Sequence, residues 1–167
     1  MIRLEPLGPS HLEGVAALVE DPTVRRYTRI PEPPPSGFAS EWLARYDDGR
    51  RDGTREGFAA VDADDGTFLG LALAPRIDSE AQTVELGYVV AAPARGRGVA
   101  TEILRLLTEW AFSTLDAVRI ELLISVGNPA SKRVAERCGY QLEGVLRSLY
   151  YKPGVRDDFE VWSRLAC

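Results

Sequence analysis

Arginine and glycine alternate through Arg95-Gly96-Arg97-Gly98, and Val99-Ala100-Thr101 follow directly. Glycines let a backbone turn tightly and approach a ligand. A helix beginning just after them presents unpaired amides and the positive end of its dipole, an arrangement that suits a diphosphate. The plain alternative is a glycine-rich turn with two solvated arginines. Two other phosphate loops are excluded. No Gly-Lys followed by Ser or Thr is present, and the dinucleotide fingerprint needs a third glycine where Thr101 stands.

Few other residues offer chemistry. Glu85 sits in Val84–Val90, where Val84, Leu86 and Tyr88 alternate with Glu85, Gly87 and Val89; it can serve as a base, face solvent or pair with an arginine. Asn128-Pro129-Ala130-Ser131 reads as a helix start, with Asn128 as the cap, Pro129 at the first position and Ser131 at the third. Tyr140 has a hydroxyl, but its plain role is core packing. Cys138, beside Gly139 at a helix end, reads as a small buried side chain rather than a nucleophile. His11 is the only histidine, which excludes multi-histidine metal sites, and no metal is expected.

The elements that position these groups follow from periodicity. Ile2–Leu7 reads as a strand, and Ser10 to Glu13 as a capping box opening a helix to about Glu20, with His11 on its surface. Residues 21–37 are rich in Pro and Arg and read as a rigid loop, followed by a helix around Phe38–Tyr46. Strands are expected at Phe58–Val61, Phe68–Ala74 and Val84–Val90, then a helix over Thr101–Thr114 and a strand over Val118–Val126. A helix over Pro129–Arg137, a strand from Tyr140, a Pro153-Gly154 turn and a strand from Asp158 complete the order. This order implies an α/β (α+β) domain around one sheet.

The 167 residues suit one domain, with a net charge of −5 that argues against general nucleic-acid binding. Residues 1–84 hold 9 basic and 15 acidic side chains, net −6, whereas residues 85–167 hold 11 and 10, net +1. Two cysteines are too few for a disulfide framework. With no apolar run near the roughly 18 residues needed to span a bilayer, and no leader pattern, the expectation is a soluble cytoplasmic protein without a membrane partner.

Arg95, Gly98 and Ala100 satisfy the pattern [QR]-x-x-G-x-[GA], through which the chain resembles the GNAT superfamily of N-acetyltransferases. Glu85-Leu86-Gly87-Tyr88, Asn128-Pro129-Ala130-Ser131, Cys138-Gly139-Tyr140, Glu143-Gly144 and Arg156-Asp157 resemble its RimJ/RimL-type protein N-acetyltransferase branch. The likeness is specific from about residue 83 onward. It implies a single GNAT-like domain over 1–167: a mixed, mostly antiparallel sheet with splayed middle strands and helices on both faces.

The resemblance also implies roles. Arg95, Gly96, Arg97, Gly98, Val99, Ala100 and Thr101 would bind the pyrophosphate of acetyl-CoA, and the amides around Val89 and Val90 and the side chain of Asn128 would meet its pantetheine arm. Glu85 would deprotonate the amine, Ser131 would hydrogen-bond the departing sulfur, and Tyr140 stands in reserve as an acid. Tyr27, Trp42 and the proline-rich loop would shape the acceptor site. The implied activity is direct acetyl transfer to a protein N-terminal α-amine or a small-molecule amine, with a homodimer compatible. A non-catalytic CoA-binding sensor or interaction module is the rival reading. The acidic N-terminal half would then face an incoming cationic amine.

Overall fold

Alternating apolar residues divide the strands between two cores, one on each face of a single sheet. A computed structural model describes residues 1–167. In chain order the elements are β1 (Ile2–Pro6), α1 (Leu12–Glu20), α2 (Pro22–Tyr27), α3 (Phe38–Asp52), β2 (Glu56–Asp62), β3 (Phe68–Asp78) and β4 (Thr83–Val90). They continue with α4 (Val99–Thr114), β5 (Arg119–Ser125), α5 (Pro129–Arg137), β6 (Gln141–Lys152) and β7 (Val155–Leu165). The sheet runs β1-β2-β3-β4-β5-β7-β6, and every pairing is antiparallel except β4 with β5.

On one face Ala72, Ala74, Val84, Leu86, Ile120 and Leu122 pack with Ile103, Leu104 and Leu107 of α4 and Val134 and Ala135 of α5. On the other, Ala59, Val61, Leu71, Leu73 and Val89 pack with Val15 and Leu18 of α1, Val24 of α2, and Phe38 and Tyr46 of α3. No helix is long and apolar enough to cross a membrane.

Three local expectations are corrected. Ser10 does not cap α1; it lies in a short turn, Pro9–His11, that precedes the helix. His11 is not a surface residue, since its side chain is 9% exposed. Its Nδ1 accepts from the Gly8 amide at 3.1 Å, so Nε2 carries the proton donated to Glu5 at 2.8 Å. Residues 21–37 are not wholly loop: Asp21 accepts from the Thr23 and Val24 amides, and Pro22 fits the first position of α2. Beyond it, α3 runs past Tyr46 to Asp52 and stops at Gly53, whose φ of 78° suits glycine.

Candidate functional site

The parallel pairing of β4 and β5 extends over only three residues, Thr83, Val84 and Glu85 against Arg119, Ile120 and Glu121. Beyond Glu85 the strands part, and a cleft of about 1570 Å³ passes through the opening. On the closed side, β4 stays on β3: Ala91 N–H donates to Leu69 O at 2.8 Å. Alternation along this antiparallel ladder turns the Val89 amide toward β3 and those of Tyr88 and Val90 toward the opening. Of the two amides expected there, Val90 is therefore available, Val89 is turned away, and Tyr88 replaces it. Glycine is required at position 70, because a Cβ there would lie 2.1 Å from Val89 O.

At one end of the cleft the loop adopts the shape its glycines allow. Gly96 and Gly98 have φ of 74° and 76°, and nothing lies within 4 Å of where either Cβ would be. Gly98 caps α4, so the amides of Val99, Ala100 and Thr101 open the helix without intrahelical partners. The arginines are placed otherwise than expected. Arg95 lines the cleft but is bound to Asp21 at 2.6 Å. Burial would raise the Asp21 carboxyl, yet Arg95 and the Thr23 and Val24 amides outweigh it and hold the carboxyl below its usual range. Arg97 lines a separate shallow groove beside Met1, Ile2, Asp62 and Glu102. Arg133 and Arg137 of α5, four residues apart and without an acidic partner, line the main cleft instead. Their helical spacing was the available signal.

Glu85 lines the cleft on the α1–α3 face, with its side chain 10% exposed and Arg29 3.6 Å away. It is thus neither solvated nor strongly paired. Ser131 lies on the opposite face, where its hydroxyl and that of Tyr88 are 2.7 Å apart. Asn128 performs the expected cap, accepting from the Ser131 amide at 3.3 Å, and also lines the cleft. Burial, against the Ser131 hydrogen bond, pushes Tyr88 up to about 12, so it remains a phenol at neutral pH. Tyr140 is not brought to the cleft: it is buried against α4, its hydroxyl 2.7 Å from that of Thr108. The tyrosine beside Ser131 is Tyr88. Cys138 is buried, burial raises its thiol, and its Sγ reaches Thr101 O at 3.5 Å.

The α1–α3 side forms the remaining arm. Tyr27 lines it and donates to Gly127 O at 3.0 Å, while Trp42 lies between the rings of Phe38 and Tyr46, at 5.9 and 6.3 Å. The prolines at 31, 33, 34 and 35 do not line the cleft; the segment just before them, Thr23 to Ile30, does. Burial pushes the Tyr46 hydroxyl up to about 12; Arg55 pulls it down, Glu85 pushes it further up, and Arg29 and Arg45 also pull down. Sequence reasoning missed Arg29, Tyr46 and Tyr151, which ring Glu85. No group of three or more His, Cys, Asp or Glu side chains converges in a way that could hold a metal ion.

Comparison with known proteins bears on this geometry. The family model of the acetyltransferase (GNAT) domain matches residues 2–141. YdaF of Bacillus subtilis, which is named as a ribosomal N-acetyltransferase, is 33% identical over 101 residues, covering 60% of this chain and 55% of YdaF. The ribosomal-protein-serine acetyltransferase of Escherichia coli is 28% identical over 98 residues, covering 59% and 55%. The matched stretches thus span just over half the length of either relative. A crystal structure of spermidine N-acetyltransferase from Vibrio cholerae, in complex with CoA and spermine, superposes with a TM-score of 0.85 at 23% identity, covering 98% of this chain and 95% of that one. That likeness concerns the fold.

Proposed function

Since the chain belongs to the GNAT acetyltransferase family, we propose that it is an N-acetyltransferase carrying acetyl directly from acetyl-CoA to an amine. The observation that carries this reading is one cleft joining an amide-lined loop, a parted pair of strands and a nearly buried carboxylate. The names of the relatives, ribosomal-protein and spermidine acetyltransferases, favour an amine acceptor, either a protein N-terminus or a small molecule.

The residues fit the donor. The open space over Gly96 and Gly98 and the free amides of Val99, Ala100 and Thr101 suit its diphosphate, with Arg133 and Arg137 adding positive charge. Bound there, acetyl-CoA supplies an activated acetyl group on a thiol of ordinary pKa about 8.5. The Tyr88 and Val90 amides face the opening where the thioester would thread, and are available to its carbonyl oxygen.

Two faces of β4 divide the proton work. Glu85, on the acceptor side, takes a proton from the amine directly or through water; an α-amine with pKa near 7.7–8.0 is mostly protonated at pH 7. On the far side, with Tyr88 as the donor of the hydrogen bond between the two hydroxyls, the Ser131 hydroxyl is free to donate to the departing sulfur. Cys138, raised in pKa and turned onto Thr101, takes no part, which favours direct transfer over a covalent relay.

The test is thiol release from acetyl-CoA across peptides, amino acids, polyamines and aminoglycosides. Glu85→Gln should lower kcat about a hundredfold or more, and Ser131→Ala about tenfold. If neither changes kcat with a good acceptor, the residue roles are wrong. A flat panel, with CoA still raising Tm, would instead support the sensor reading.

A further inference from the structure

The acceptor arm carries a group of cations that acetyl transfer itself does not require. Arg55, at the edge of β2, and Arg45, on α3, both line the cleft, yet neither guanidinium makes an ion pair or hydrogen bond within the protein. Their placement is built rather than incidental. Trp42, Arg45, Tyr46 and Gly49 follow helical spacing on one face of α3. Gly49 lets the Arg55 stem lie on the helix, because a Cβ there would stand 2.4 Å from Arg55 Cβ. Arg45 stacks on Phe38 with its guanidinium carbon 5.7 Å from the ring centroid. Arg29 stacks on Tyr151 at 4.7 Å and meets Glu85.

The carboxylates of the same arm have other partners, an ion pair for Glu121 and backbone amides for Asp52 and Asp78. Glu121 binds Arg119 at 2.8 Å and Arg76 at 3.5 Å, Asp52 accepts from the Thr54 amide at 3.0 Å, and Asp78 from the Ala81 amide at 2.9 Å. Glu85 is needed as the base. What is left without an ion-pair or hydrogen-bond partner is the two guanidinia of Arg45 and Arg55, in an arm whose lining is balanced in charge.

We infer that the acceptor is an amine that also bears a carboxylate, which Arg45 and Arg55 hold while its amino group reaches Glu85. The inference rests on the acetyltransferase reading for the amine and on the two arginines for the anion. A free amino acid and a peptide with an acidic side chain both supply this chemistry.

Matched pairs test it: a free amino acid against its amide, and an N-terminal peptide amide with Glu against the same peptide with Gln, with spermidine as the cationic control. The acid of at least one pair should exceed its amide in kcat/KM by at least about tenfold, and which pair does so tells amino acid from peptide. The Arg45→Gln/Arg55→Gln double variant should bring that ratio close to one. Equal use of acid and amide, or preference for spermidine, overturns the inference. If no acceptor is turned over, the transferase reading fails by itself. Calorimetry of N-acetylglutamate and its diamide on CoA-loaded protein then decides the anion site, with equal binding overturning it and at least about tenfold tighter binding of the acid supporting it.

Discussion

Replacing Lys152 by methionine should loosen the acceptor arm from a distance. Lys152 ends β6 and is 4% exposed, and it has no carboxylate partner. Its ammonium donates to Arg25 O at 2.6 Å and Ile30 O at 2.7 Å, two carbonyls that bracket Arg29. Methionine matches the stem but leaves both carbonyls short of a donor, at roughly 1–3 kcal/mol each. Relief from burying an ammonium offsets part of this. A net loss of about 2–4 kcal/mol follows, or about 1–2 M in the urea midpoint at a slope near 2 kcal/mol/M. With Arg29 released, KM for the acceptor should rise severalfold while KM for acetyl-CoA holds. Burial also lowers the Lys152 pKa from its ordinary 10.5, so the unfolded chain binds this proton more tightly. Wild type should therefore gain stability as pH climbs toward 10.5, and the variant should lack that rise. An unchanged urea midpoint together with an unchanged acceptor KM would refute the reasoning.

Two further outcomes follow from the donor loop and the outer sheet. Gly98→Ala places its Cβ in open space but holds an L-residue at φ 76°, costing about 1–2 kcal/mol; titration calorimetry should show CoA affinity falling about fivefold or more, and unchanged affinity would contradict the loop's role. Glu143 is held down to about 2 by hydrogen bonds from Arg119 and Ser163. Its favourable contribution is complete above 4.5 and is lost as pH falls toward 2. Arg119→Gln should return the carboxyl toward 4.5 in a carbon NMR titration, and a midpoint still near 2 would show that Arg119 is not the cause.

What was legible in the sequence was mostly local. Gly96, Gly98 and the following helix start fix the shape of the loop within a few residues, and strand alternation set Glu85 apart from Val84 and Leu86. Arg97 lies in the neighbouring groove rather than the main cleft because a loop residue's direction depends on φ and ψ, whereas Arg133 and Arg137 are aimed by the rotation of α5. Tyr140 and Tyr88 offer the same hydroxyl; only the packing of α5 on α4 sends the first to Thr108 and the second to Ser131. The Asp21–Arg95 pair and the Lys152–Arg25 hydrogen bond bridge 74 and 127 residues, distances at which sequence carries no periodic signal. Asp21-Pro22 did carry a helix-start signal, hidden by the prolines after it. The insertion of β7 between β5 and β6 had no local signal at all.

The three-residue junction of β4 with β5 has a thermodynamic side. Past Glu85, each strand keeps an unpaired edge within the interior of a seven-stranded sheet, where edges are normally removed by pairing. An extended molecule entering the gap completes the sheet as an absent strand would, and its binding energy becomes energy of the fold. Since both half-sheets already share the core under α4 and α5, filling the gap should raise the melting temperature and slow hydrogen exchange chiefly along the facing edges of β4 and β5.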